Sequence, residues 1–290
     1  MAFLDGVGKM STMTNIRLTL TGKLSVLRDY PLSYIYAAKN KGAFDNVKRY
    51  CTFIGYPRSG HTLVGSLVDA HPNAIVAHEL DALDYVNRGF SKERIFSLLL
   101  EKSRRFAKRG REWTGYRFEV PDQWHGKFKK LEVIGDKKGG GSTKWLGEHP
   151  ELIDKLRKTV GVETKFIHVL RNPYDNITTW SIRRNMPLEE TIERYFSLAK
   201  MNKGLKEKLG GDIFDIRHED VILNPKNEIT KMCDFLGLDA TDEYLQDCSN
   251  PIFKRISKTR KKINWTPNLI EKVSEKMKEY PFLKGYSYYN

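Results

Sequence analysis

Cysteine is scarce in this chain. Cys51, Cys233 and Cys248 are the only three, and they stand far apart. No Cys-x-x-Cys pair occurs, so neither a disulfide framework nor a zinc site is indicated. Cys51 precedes an apolar β-rich run and Cys233 falls in an apolar helical pattern, so both are expected as buried, unreactive thiols. Long hydrophobic runs are missing as well. No stretch of 18 apolar residues occurs, which excludes a membrane-spanning helix. Met1–Tyr30 lacks the continuous apolar centre of a secretory signal. These absences predict a reducing, cytoplasmic location. There are no internal repeats.

Acidic residues are in deficit, 36 against 50 basic ones, which leaves a net charge of +14. Such a balance favours polyanionic partners: nucleic acid, an anionic membrane or a nucleotide. No RRM, KH or zinc-finger spacing is present, so nucleic acid is not expected. The basic runs Lys102–Arg111 and Lys254–Lys262 nevertheless keep a non-enzymatic RNA- or anion-binding protein open as an alternative. The 290 residues suffice for one full core.

The most informative stretch is CTFIGYPRSGHTLVGSLVDAHP, Cys51 to Pro72. Thr52-Phe53-Ile54 reads as a buried strand. Gly55 to Gly60 reads as a turn, and the spacing of Leu63, Val64, Leu67, Val68 and Ala70 as a helix. A strand, a glycine-containing turn and a helix N-terminus make an anion cradle, because free N–H groups and the positive end of the helix dipole face the turn. Arg58 adds a cation; Ser59 and Thr62 add hydroxyls. Gly55–Thr62 also fits the nucleotide-triphosphate loop pattern, except that His61 stands in the lysine position. A small-molecule kinase with a degenerate loop is therefore the rival enzyme, with Leu131–Asp136 as its magnesium-binding strand end.

A second anion site follows a hundred residues later. Lys165–Leu170 is β-rich and ends at Arg171-Asn172-Pro173. Pro173 suits the first position of a helix. In that helix Thr179 and Arg183 share a face, and Arg171 sits at its start.

The two sites together resemble the PAPS-dependent sulfotransferases. Tyr56 to Leu63 is similar to that family's phosphosulfate loop, and Val169-Leu170-Arg171-Asn172-Pro173 through Thr179 to its 3′-phosphate motif, with Thr179 in place of the usual serine. Ile134-Gly135-Asp136-Lys137 resembles its GDK element. Ile216 to Val221, with Met232 to Leu238, resembles its RYEDL…CxFLGL segment, His218 replacing a tyrosine. Ser257 to Lys262 with Asn264-Trp265-Thr266 resembles its nucleotide-covering loop. The resemblance implies a PAPS site, with PAP as product and no metal, built from Arg58, Ser59, Gly60, His61, Thr62, Leu63, Arg171, Thr179, Arg183, His218, Thr259, Arg260 and Lys261.

It also implies catalytic roles. Arg58 and Lys137 would meet charge near the bridging oxygen. Glu79 lies 21 residues after Arg58, the offset of the catalytic glutamate in the tyrosylprotein sulfotransferase branch, and is the expected general base, with His78 second. His61 would reach the phosphate or cap the helix. Glu79, Asp81 and Asp84 form an acidic group that would suit a cationic small-molecule acceptor. The broad family includes cyanobacterial enzymes acting on saxitoxin-type alkaloids, which offers one such acceptor.

The expected architecture is a single α/β domain, residues 48–290, with a mainly parallel central sheet flanked by helices and a P-loop-like nucleotide site. Residues 1–47 are expected as an N-terminal extension packed on the core. Strands are expected at 51–55, 74–77, 131–135, 164–170 and 213–217, and helices at 62–70, 91–109, 145–159, 173–184, 188–208, 225–236 and 267–279. Gly139 to Ser142 reads as a flexible turn.

Overall fold

A computed structural model describes residues 26–252 and 255–290. Five strands form one sheet: β1 (Arg49–Gly55), β2 (Ala74–His78), β5 (Val133–Lys137), β6 (Glu163–Leu170) and β7 (Ile213–Arg217). Their order is β2-β5-β1-β6-β7, and every pairing is parallel. A separate two-stranded hairpin joins β3 (Glu112–Trp113) to β4 (Tyr116–Arg117). All five expected core strands occur. The third begins two residues later than the pattern predicts, which puts Asp136 and Lys137 at its carboxyl end.

The central strands are apolar on both faces, as parallel strands covered by helices must be. In β1, Tyr50 and Ile54 pack to one side and Cys51 and Phe53 to the other, the two-residue alternation of a pleat. The first side is covered by α3 (Ala82–Asn87), α4 (Lys92–Lys108) and α6 (Leu152–Val160). The second is covered by α2 (His61–Asp69), α10 (Pro225–Leu236) and α11 (Asp242–Ser249). A third cluster gathers around Tyr56 and Leu170. It draws on α7 (Pro173–Arg184), α8 (Leu188–Leu209) and α12 (Pro267–Met277). The remaining helices are α1 (residues 26–39), α5 (Gly140–Glu148) and α9 (His218–Leu223).

Two expectations need correction. The helix foreseen at 145–159 is two helices, α5 and α6. Pro150 pushes His149 out of the helical region, to φ −133° and ψ 71°. Gly139–Ser142 is not a flexible turn, since α5 begins at Gly140. Of residues 1–47, residues 1–25 lie outside the described part. Within the rest, Val26, Phe44 and Val47 join the core, and Asp29 accepts a hydrogen bond from Tyr85 Oη at 2.7 Å. All three cysteines are buried, and burial pushes the thiols of Cys51 and Cys233 up to about 12. Among the described residues no helix is long and apolar enough to cross a membrane.

The strand order positions the site. From β1 the chain runs outward to β2, whereas from β6 it runs the other way to β7. In open parallel sheets a crevice opens at such a reversal, outside the carboxyl ends of the strands. Here the reversal falls between β1 and β6. Gly55 pairs with Val169, so the loop after β1 and the turn after β6 emerge side by side.

Candidate functional site

The two anion motifs flank that reversal and touch each other there. Gly55 leaves the sheet at φ 136°, Arg58 takes φ 70°, and Gly60 takes φ 100° before α2 begins. No side chain caps the start of α2, so its first N–H groups face the turn. Arg171, at the end of β6, donates from Nη1 to the Arg58 carbonyl at 3.2 Å and to Thr179 Oγ1 at 3.3 Å. Its Nη2 donates to the Ser257 carbonyl at 3.2 Å and to Thr259 Oγ1 at 3.3 Å. Thr179 and Thr259 are themselves 2.9 Å apart. Thus the loop after β1, the turn after β6 and the segment at 257–259 meet on one arginine. Glu219 anchors that turn by accepting the Asn172 N–H at 2.8 Å.

The electrostatics are one-sided. Burial lowers the pKa of Arg58, and the positive charges of Arg183 and Arg171 lower it further. Among the described residues its Nε has no hydrogen-bond partner, and its Nη2 makes a long bond to Thr114 Oγ1 at 3.4 Å. Arg183 is exposed and adds its charge from the next turns of α7. His218 lies against Gly60; burial and then Arg171 hold its pKa down to about 3, and its Nδ1 is unpartnered. Three cations and unfilled donors around one turn describe a place where an anion lowers the energy.

A second group stands at the ends of β2 and β5. Glu79, at φ 56°, receives Lys137 Nζ at 2.9 Å, and the same ammonium reaches Thr62 Oγ1 at 3.3 Å. Burial pushes the Glu79 carboxyl up, but the charge and hydrogen bond of Lys137 outweigh it, so its pKa falls below the ordinary value. Burial lowers Lys137 against the opposing pull of Glu79. Asp136 holds the chain here. Its carboxylate accepts the N–H groups of Leu80, Asp81 and Ala82 at 3.0, 2.8 and 2.8 Å. Neither the Asp136 anchor nor the Thr114 contact was foreseen, and only the adjacency of Asp136 to Lys137 hinted at the former.

Several expected ligands are occupied elsewhere. The His61 imidazole neither reaches the loop's mouth nor caps α2. It is buried between Ser59 Oγ and the Ile54 carbonyl, each 3.1 Å away, against Gly55 and Gly139. Ser59 Oγ also lies 3.0 Å from the Tyr56 carbonyl, so its single proton serves either that oxygen or His61 Nδ1. Leu63 turns its side chain to the core, and its N–H bonds to Gly60 O at 3.0 Å. Arg260 is buried with Asp175 and donates to carbonyls of the C-terminal segment, including Ser287 O at 2.9 Å. Lys261 is exposed. His78 does not join Glu79: its ring stacks on Phe106, centroids 4.1 Å apart, and meets Trp113 edge-on at 4.7 Å. The acidic group dissolves into pairs. Asp81 meets Lys138 at 3.3 Å, and Asp84 meets Arg88, one helical turn on, at 3.0 Å.

The buried histidines make stability acid-sensitive. Burial holds His61 and His78 down to about 3, far below the ordinary 6.5. Both are therefore neutral when folded, whereas the unfolded chain protonates them below 6.5. Their contribution is complete above pH 6.5 and is lost as pH falls toward 3. Each histidine removes up to about 1.4 kcal/mol per pH unit in that window. Urea unfolding at pH 7.5, 6 and 5 should show a clear drop in midpoint. Equal midpoints at 7.5 and 5 would contradict the buried neutral state.

The comparisons with known proteins agree with this fold. Among solved structures, the sulfotransferase domain of the Synechococcus PCC 7002 olefin synthase is similar in fold, with TM-score 0.52, 18% identity and coverage of 81% of this chain and 94% of that one. The sulfotransferase domain from the curacin biosynthetic pathway gives TM-score 0.53 at 15% identity, covering 81% and 98%. A sulfotransferase from Mycobacterium avium gives 0.51 at 12%, covering 88% and 82%. No curated protein matches by sequence. The profile of the Sulfotransferase family matches residues 52–243, from the middle of β1 into α11 and so through both anion motifs, and the chain belongs to that family.

Proposed function

We propose that this protein transfers the sulfuryl group of PAPS to a hydroxyl or amine of a small-molecule acceptor and releases PAP. The observation that carries the reading is the hydrogen bond from Arg171 to the Arg58 carbonyl, which holds two cationic loops side by side at the sheet reversal. PAPS carries phosphate at both ends of one nucleoside, and two adjoining anion sites match it. The residues present fit the group: Arg58 Nε and His218 Nδ1 are unpartnered, and the start of α2 is uncapped.

In this reading Arg171, Thr179 and Thr259 bind the 3′-phosphate, while Arg58, Thr62 and the first N–H groups of α2 bind the phosphosulfate. Sulfuryl transfer forms a bond from the acceptor atom to sulfur and breaks the bond from sulfur to the bridging phosphate oxygen. Arg58 and Lys137 stabilise the negative charge that gathers on the departing phosphate. Glu79 takes the acceptor proton. Its pairing with Lys137 weakens it as a base in the resting state. Lys137 already contacts Thr62 on the loop side, so a shift of its ammonium toward the bound phosphate would release the carboxylate. Asp81 and Asp84 are neutralised by their partners, so they give no support to a cationic acceptor.

The first test is nucleotide binding. Saturating PAP should raise the melting temperature by several degrees, since ligand at a hundred times its Kd adds about 2.7 kcal/mol. ATP with magnesium and RNA should shift it much less. A larger shift with ATP would favour a kinase and sink the proposal.

A further inference from the structure

We infer that Thr143, held by Asn202, is the positioning residue that fixes the anion loop at its hinge. Gly55 is where the loop leaves the sheet, and its backbone sits at φ 136°. Thr143 Oγ1 lies 2.8 Å from the Gly55 N–H and 3.1 Å from the Gly55 carbonyl oxygen. One hydroxyl therefore serves both backbone groups of the hinge residue. Asn202, on α8, sets its Oδ1 2.9 Å from the same Oγ1, while its Nδ2 has no partner among the described residues. Thr143 and Asn202 are both fully buried.

The hydrogen count fixes how this works. A threonine hydroxyl has one proton and two acceptor positions. It accepts from Gly55 N–H and donates to Gly55 O. With Oδ1 facing Thr143, Gly55 O and Asn202 Oδ1 compete for that one proton and Nδ2 stays orphaned; turning the amide over brings its NH₂ to Oγ1 and satisfies all three contacts. Asn202 thereby sets which way the Thr143 proton points.

The glycines before Thr143 complete the clamp. A Cβ on Gly139 would lie 2.6 Å from the His61 ring, and one on Gly140 would lie 2.7 Å from Pro57 Cδ and 3.1 Å from Pro57 N. Only glycine lets the first turn of α5 seat this close to the loop. The run Gly139 to Thr143 is thus a rigid seat under the loop that carries Arg58. None of these groups needs to touch the ligand; they act through the loop's shape.

The test compares Thr143→Val, which keeps the shape and removes both hinge bonds, with Thr143→Ser, which keeps the hydroxyl. Asn202→Asp, which has no NH₂ to donate, is the third variant. Amide exchange over residues 55–60 is measured without ligand, and PAP affinity by calorimetry. Thr143→Val and Asn202→Asp are expected to exchange faster there and to bind PAP about tenfold more weakly, the scale of one lost buried hydrogen bond. Thr143→Ser should behave as wild type. Should Thr143→Val fail to fold, Gly140→Ala, which crowds Pro57 without removing a hydrogen bond, carries the same comparison. Unchanged exchange and affinity in the folded variants, or equal losses in the serine and valine variants, would overturn the inference. The ligand arm rests on the PAPS reading. If wild type fails to bind PAP, that reading falls, while the exchange arm still decides the role of Thr143.

Discussion

Replacing Arg58 with alanine is expected to lower kcat about a hundredfold to a thousandfold, the usual consequence of removing one preorganised group from developing negative charge. The guanidinium is half-buried beside Arg171 and Arg183, and its own pKa is lowered by burial and by their repulsion. A dianionic leaving phosphate would relieve that repulsion, so the arginine's stabilisation grows as the charge grows. Binding should suffer too, because the same group meets the phosphosulfate before reaction. The fold should tolerate the change, since the guanidinium is tied among the described residues by no more than the long 3.4 Å contact to Thr114. The backbone needs a control. Residue 58 sits at φ 70°, a region that disfavours any side chain except through local compensation. Arg58→Gly removes both charge and strain, whereas Arg58→Ala removes the charge alone. If the two variants lose activity equally, charge is the cause. Wild-type turnover in either would dismiss Arg58 from the chemistry.

How much of this was legible in the sequence depends on how local each signal was. Thr52-Phe53-Ile54 and Lys165 to Leu170 are short apolar runs bounded by turn residues, and both became central strands. The helix after Pro173 announced itself by proline at its first position. Short helices such as α3 and α9, six residues each, carry too few turns for a periodic pattern to show. The start of α5 was hidden because three glycines ordinarily read as a loop. Here each of Gly139 and Gly140 answers a close neighbour, His61 or Pro57, that only the fold supplies.

The same distinction sorts the candidate site. Arg58 and Arg171 stood out because each follows a strand, Arg58 within the glycine-containing turn after β1 and Arg171 directly after β6. Arg260 stood out for its charge, but its partner Asp175 lies 85 residues away, so its burial was not foreseeable. His61 looked like a displaced phosphate ligand, yet the Ile54 carbonyl and Ser59 hydroxyl claim both its nitrogens. The Asp84–Arg88 pair is different: an acid four residues before an arginine on a helix was readable from spacing alone. Thr143 gave no signal, because its role exists only once β1, α5 and α8 are assembled.

Glu79→Gln should lower turnover about a hundredfold or more, within the range general bases supply, while PAP affinity stays close to wild type. Glutamine keeps the size and a hydrogen-bonding oxygen for Lys137 but cannot take a proton. Some stability should be lost, because the buried ammonium of Lys137 loses its counter-charge. The pH profile separates base titration from unfolding. Lys137 holds the Glu79 carboxyl below its ordinary 4.5 despite burial, so the carboxylate is already ionised above that value. In kcat/KM, which reports the free enzyme, the base should therefore produce no limb between pH 5 and 7. A fall in rate over that range should instead track the loss of folded protein as His61 and His78 take up protons on unfolding. His78→Phe completes the comparison. Phenylalanine preserves the stack on Phe106 and the edge contact with Trp113, so this variant should turn over normally. A dead His78→Phe beside an active Glu79→Gln would reverse the assignment of the base. Full activity in both would leave Glu79 as the holder of Lys137, and the proton would have to depart by another route.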